Sequence, residues 1–494
     1  MKKTAKNIII ALVVLLVLGV AAVVLMKFPT ADSEVQTEES SASSEAIVET
    51  GSILDNNIND VVEIVVENNI VGETWEIIPT KDSEDVEENN TFTFKNLEGT
   101  KVLNSQISSV ARNFYLLSSK KVIGEVQDLA EYGLDGDGMA KGTTTYKDGT
   151  TTTIIVGRTA GESSGRYILY DGTVYIASVA SQLEQKQMDF VNKQVLTIAS
   201  NNEVAEDGTI VENEAVTGYM KFSGKNYPEE INLEASDNRV YTYVMSTPIF
   251  AGASTSQMDS IVEQVTSIQA DTVAVVNATE EDLTEWGFDD PEVVFDFEIN
   301  DEVHKLVLGK LVDGQYSLMV DDKTTIYLID KSSVNAWSNK TVFELRESYV
   351  YLINIKQVET LTVEDKNGKN VYDVTRSINE EKSSEGQPFY DLSIEKDGKE
   401  VSYDTAYQPF YMSMLSVCVM NEETVEPVGD ALITFSYEYF EGDDVDVIEF
   451  YAHPTNDRRC VAVLNGQTVG VVRNSDIESL IEKNDIIGNF GSLE

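Results

Sequence analysis

Four acids crowd one short stretch of this chain, Glu441, Asp443, Asp444 and Asp446, and oxygen-rich clusters of that kind suit a Ca²⁺ ion. Their spacing does not follow an EF-hand, which needs spaced Asp or Asn ligands, a central Gly and a distal Glu. Asp135-Gly136-Asp137-Gly138 is likewise a turn-like fragment. Both read as hairpin loops, so no metal site is expected. Two histidines, His304 and His453, and two cysteines, Cys418 and Cys460, complete the inventory of metal-ligand and acid–base candidates in 494 residues. His304 falls within a strand-like run and His453 beside Pro454, settings of incidental surface residues. The cysteines lack Cys-x-x-Cys spacing, which excludes a zinc site. Buried free thiols and a disulfide between them both remain open.

Nucleophile and phosphate motifs are missing. There is no G-x-S-x-G elbow, no G-x-x-x-x-G-K-[ST] and no G-x-G-x-x-G, so nucleotide binding is not expected. A carboxylate pair for glycoside hydrolysis has 85 acids to draw on, and for that reason none stands out. No catalytic residue and no cofactor is therefore expected. Against those acids stand 36 Lys+Arg, a net charge of −49. Such a surface repels phosphate backbones and excludes nucleic-acid partners.

Lys2, Lys3 and Lys6 precede Ile8–Met26, nineteen residues without a charge. At about 1.5 Å per residue this run can cross a hydrocarbon core of about 30 Å. Basic residues before it and an acidic tract after it predict a cytoplasmic N-terminus and an exported remainder. The apolar run continues past Ala21-Ala22, which favours an uncleaved signal-anchor over a cleaved signal peptide. Residues 1–28 are thus expected to form a single-pass transmembrane anchor in the cell membrane. The Ser/Glu-rich residues 29–54 read as a disordered linker.

An internal repeat organises the rest. Asp128–Leu134 reads DLAEYGL and Asp282–Phe288 reads DLTEWGF. Four short strand-like runs follow each: Thr143–Lys147, Thr151–Val156, Arg166–Tyr170 and Val174–Ala177, then Val293–Ile299, Val303–Leu308, Tyr316–Val320 and Ile326–Ile329. Gly157 and Gly309 close the second run of each copy. A third, divergent copy carries runs at Leu432–Phe440, Val445–Tyr451, Arg459–Leu464 and Thr468–Val472, with a closing helix at Asp476–Lys483. Opening strand pairs are expected at Glu63–Glu67 with Trp75–Ile78, Val195–Ala199 with Tyr219–Phe222, and Glu359–Glu364 with Val371–Val374. Between them and the turns lie helix candidates at Leu103–Leu117, Ser256–Ile268 and about Phe410–Met420, the first two with apolar residues at helical spacing. The expectation is an α+β chain: a transmembrane helix followed by three modules, 55–194, 195–350 and 351–494, each an antiparallel β-meander packed with helices. In the two aromatic turns, Gly133 and Gly287 supply a backbone angle other residues resist. Tyr132 and Trp286 either cap the helix-to-sheet junction or serve as exposed partner contacts.

A short basic N-terminus, one apolar span, Trp75-Glu76-Ile77-Ile78-Pro79, the L-x-x-Y-G-L turn through Leu129, Tyr132, Gly133 and Leu134, and the runs Ile154–Gly157, Gly165–Ile168 and Val174-Tyr175 together resemble the bacterial domain of unknown function 4340 proteins. The second copy repeats the pattern with Trp286 and Phe288. Members of that family accompany ABC-type export systems related to gliding-motility transporters. The resemblance therefore implies a non-catalytic, extracytoplasmic auxiliary component with a permease and an ATPase as partners. It implies no catalytic residues. An envelope protein that binds polysaccharide or peptidoglycan, and a carboxylate-based hydrolase, are the competing readings.

Overall fold

The computed structural model describes residues 51–83, 87–161, 165–204, 210–211, 215–236, 240–321, 323–384, 388–421, 423 and 425–493. Apolar and polar side chains alternate along most strands, and they assemble three large antiparallel sheets. The first contains β1 (Ser52–Asp55), β2 (Val61–Asn68), β3 (Glu73–Thr80), β4 (Thr91–Phe94), β5 (Leu116–Gly124), β6 (Ala140–Tyr146), β7 (Thr151–Thr159), β8 (Arg166–Tyr170) and β9 (Thr173–Ala177). Their order is β1-β5-β9-β8-β7-β6-β2-β3-β4.

Strand β10 (Gln194–Thr197) and a small ribbon, β11 (Glu203–Val204) with β12 (Ile210–Val211), lead to the second sheet. It begins with β13 (Thr217–Gly224), β14 (Tyr227–Ala235), β15 (Tyr243–Thr247) and β16 (Ala251–Gly252). β17 (Ser267–Gln269) then turns back to pair with β10. β18 (Thr272–Val275), β19 (Val293–Ile299), β20 (Glu302–Val312), β21 (Gln315–Val320) and β22 (Ile326–Asp330) complete the order β16-β15-β14-β13-β19-β20-β21-β22-β18. The third sheet is β26-β25-β24-β23-β27-β28-β29-β30, from β23 (Val358–Asp365), β24 (Gly368–Ile378), β25 (Tyr390–Lys396), β26 (Lys399–Val401), β27 (Ile433–Tyr439), β28 (Val445–Ala452), β29 (Arg459–Leu464) and β30 (Gln467–Arg473). One plan recurs in all three: two meanders meet at their first strands, β2 beside β6, β13 beside β19 and β23 beside β27.

Each sheet carries a helix between its two meanders: α1 (Asn104–Tyr115), α2 (Thr255–Val265) and, in the third, a helix at Gln408–Leu415. α1 buries Ile107, Val110, Ala111 and Phe114 at helical spacing, and α2 buries Met258, Ile261 and Val265. Phe114 presses so closely on β6 that a Cβ at Gly142 would fall 2.1 Å from its ring. The side chains pack into two cores. One is continuous from Ile53 to Leu345 and joins the first two sheets; the other belongs to the third sheet and takes in Val244 of β15 and Tyr241 just before that strand. Trp75 lies fully buried in the first core, edge-on to Phe94 and Phe190 at centroid distances of 5.7 and 6.0 Å.

Three expectations are corrected. Among the described residues the fold is predominantly antiparallel β, about 45% strand against 20% helix, in place of the expected α+β balance. Period-two patterning dominates the described residues, and helices fill the gaps between meanders and close the third sheet at Asn474–Gly488. The span expected at 8–26 lies outside the described residues, and among those no helix is long and apolar enough to cross a membrane. Ordered chain reaches back into the expected linker 29–54, because Ser52–Asp55 pairs with β5. Finally, Val195–Ala199 is not the partner of Tyr219–Phe222. β10 bonds β17, while β13 forms its hairpin with β14 through a turn in which Gly224 has φ +109°.

Candidate functional site: a cleft between the second and third sheets

The two aromatic turns are built alike. Ala130–Tyr132 forms one 3₁₀ turn, and α3 (Glu280–Glu285) is a short helix capped by Thr279 and Asp282. Both stop at a left-handed glycine, Gly133 at φ +66° and Gly287 at φ +82°. The N–H of Leu134 reaches back to the carbonyl of Leu129 and that of Phe288 to Leu283, the closing bond of a helix C-terminus ended by glycine. Tyr132 is half-buried and edge-on to Tyr167 at 4.8 Å. Trp286 is half-buried with the Lys310 ammonium 5.7 Å from its ring centre. Each turn docks onto a bulged strand, β7 or β20, at Gly157 or Gly309.

Neither aromatic lines the cavity where the chain gathers its most unusual polar group. After a single helical turn, α4 (Val342–Leu345), the chain runs extended from sheet two to sheet three. Arg346 bridges Ala253, Glu347 N–H donates to the Gly252 carbonyl, and Tyr349 bridges Cys418. Gln467 at the start of β30 clamps the facing loop: its Oε1 accepts from Phe250 N–H at 3.0 Å and its Nε2 donates to the Pro248 carbonyl at 2.9 Å. Between these contacts lies a cleft of about 410 Å³, walled by Ile231, Pro248, Ile249, Val342, Val419 and Val469, with Lys340, Arg346, Asn421 and Glu423 as polar groups.

Arg346 is 4% exposed. Its Nε donates to the Glu347 carbonyl at 3.0 Å, Nη2 to the Tyr349 carbonyl at 3.0 Å and Nη1 to the Val469 carbonyl. Burial pulls the guanidinium down to about 10, with Tyr241 opposing. Glu423 also lines the cleft. Desolvation pushes its carboxyl up, but hydrogen bonds from His453 and Asn421 and the charge of Arg459 outweigh this and hold it below its ordinary value. His453 Nδ1 accepts the Thr455 N–H at 3.2 Å, so Nε2 carries the proton given to Glu423 Oε1 at 3.3 Å. His453 and Arg459 also face a broader polar depression of about 850 Å³ on sheet three.

The remaining candidates are dispersed. His453 is buried, not the surface residue its position beside Pro454 suggested. His304 turns its two ring nitrogens to Asp321 and Glu302. Cys418 and Cys460 are unbridged, and burial raises the Cys460 thiol to about 11. Asp446 accepts hydrogen bonds from the Tyr439 hydroxyl and from Asn465, and Asp137 pairs with Lys141. Among the described residues no three His, Cys, Asp or Glu side chains come together to hold a metal. Nothing in Phe343-Glu344-Leu345-Arg346 marks Arg346 in the sequence. Its partner Val469 stands over a hundred residues away.

No match was found among curated proteins or among solved structures. The profile of the family described as Domain of unknown function (DUF4340) matches twice, over residues 93–241 and 244–413. Each match starts late in one sheet's opening meander and runs through the helix and second meander into the opening strands of the next sheet. Together they span more than half of the sequence, so the chain belongs to the DUF4340 family.

Proposed function

We propose that this chain is a non-catalytic, extracytoplasmic binding component that works beside the permease and ATPase of an ABC-type transport system. The observation that carries the binding role is the cleft between sheets two and three, a cavity of about 410 Å³ with mixed apolar and polar walls, as small-molecule sites have. Nothing in its lining pairs a nucleophile with a free base. Outside that lining, His453 has both ring nitrogens engaged, and Cys460 is buried against Asn474 at 3.1 Å. The transporter as partner is supported by the family resemblance.

Crosslinking in intact cells, then capture of the tagged full chain and mass spectrometry, tests the reading. One permease with its ATPase should be recovered, and both should vanish when residues 55–494 are exchanged for an unrelated domain. Wall glycan recovered with no membrane protein enriched would sink the transporter role in favour of a polysaccharide-binding one.

A further inference from the structure

We propose that the cleft between sheets two and three binds a small molecule with one anionic head and an apolar body, the head seated on Arg346. The case starts from an uncompensated charge. Arg346 is almost completely buried, and its contacts are three backbone carbonyls, those of Glu347, Tyr349 and Val469. A guanidinium has five N–H donors, so each terminal nitrogen keeps a second N–H beyond those bonds. No carboxylate among the described residues forms an ion pair with it, in a chain that carries 85 acids. Removing a cation from water without a counter-charge is among the costlier arrangements a fold can hold. An anion in the cleft supplies that counter-charge through charge-assisted, bidentate bonds.

The walls define the rest of the ligand. Ile231, Pro248, Ile249 and Val419 offer an apolar surface, and Lys340 adds a second cation to the lining. Its two acids do not cancel this. Glu423 is held by His453 and Arg459, and Glu229 is exposed. The volume of about 410 Å³ falls in the range of small-molecule pockets, about 300–1,000 Å³. The inference uses the binding half of the proposed function and does not depend on the transporter. Failure to capture a permease leaves a positive titration intact, and a failed titration leaves the capture result intact.

The test is calorimetric titration of the full chain with hexanoate, hexyl phosphate and 1-hexanol, three probes with one apolar tail. At least one anion should bind about tenfold or more tighter than the alcohol, and the tighter of the two identifies the head as carboxylate or phosphate. Arg346→Met should erase the difference between anion and alcohol. Ile249→Trp, which fills the apolar wall and leaves the guanidinium untouched, should abolish binding of all three, and it decides the matter if Arg346→Met does not fold. Equal binding of alcohol and anions overturns the proposal. So does the absence of anion binding to the unaltered chain, or unchanged binding to Ile249→Trp.

Discussion

The carbonyl oxygen of Trp286 lies 2.2 Å from where a Cβ on Gly309 would stand, and the carbonyl of Tyr132 lies 2.4 Å from that position on Gly157. Two copies of the repeat therefore share one close backbone approach, between the aromatic of the turn and the glycine of a bulged strand. Ser317 fastens the second copy further by donating its hydroxyl to the Trp286 carbonyl at 2.8 Å.

Gly157→Ala and Gly309→Ala should each destabilise the fold by about 1–3 kcal/mol, the usual cost of forcing a methyl into filled space. Gly51→Ala, which meets nothing within 4 Å, should be neutral. Urea unfolding of the three variants makes the comparison. Equal midpoints would show that the turns do not dock on these strands.

Tyr132→Ala should cost about 0.5–1.5 kcal/mol through loss of the edge-on Tyr167 pair, and Trp286→Ala about 0.5–1 kcal/mol through loss of the Lys310 contact. Both variants should still capture the same partners from crosslinked cells. Partners lost from a variant of unchanged stability would instead make that aromatic a contact residue.

Glu423 titrates below its ordinary 4.5 in the folded chain, so its hydrogen bonds stabilise the ionised form. The unfolded carboxyl takes up its proton first as pH falls. The contribution is complete above about pH 4.5 and disappears as pH drops through the lower folded value. Thermal melts of the unaltered chain and Glu423→Gln should differ at pH 6 and converge toward pH 3. A gap that persists at pH 3 would refute the ionic role.

Cys460 is buried with its thiol raised to about 11 by desolvation and, secondarily, by Glu478. Desolvation and then Asp476 raise Cys418 as well. Thiolate is the reactive form, so both should react slowly with a disulfide reagent at pH 8. Two thiols per chain should appear at once in denaturant. Fewer than two would reveal a bridge.

Much of the sheet architecture could be read from residue order because it is local. Val293–Ile299 and Arg459–Leu464 are strands with the expected ends; the first alternates buried and half-buried residues, and the second is a short apolar run buried almost throughout. The helix expected at Leu103–Leu117 appears as Asn104–Tyr115, marked by Ile107, Val110, Ala111 and Phe114 at helical spacing. Pairing between distant strands was less visible. Val195 and Leu196 look like an opening strand, yet β10 finds Ile268 and Ser267 across the chain. The cleft was not legible at all. It is assembled from a loop at 248–250, the single helical turn α4 and the start of β30, and a lone arginine becomes unusual only once its surroundings are known to be dry.

Three copies of a sheet share two cores, and this separates ancestry from cooperativity. Side chains from Ile53 to Leu345 form one continuous apolar interior, so the first two sheets should melt together. The third sheet, with its own interior, should melt as a second unit. The cleft lies along the boundary between those units. A molecule bound there, as proposed above, would tie the two interiors together and should draw their two melting steps toward one.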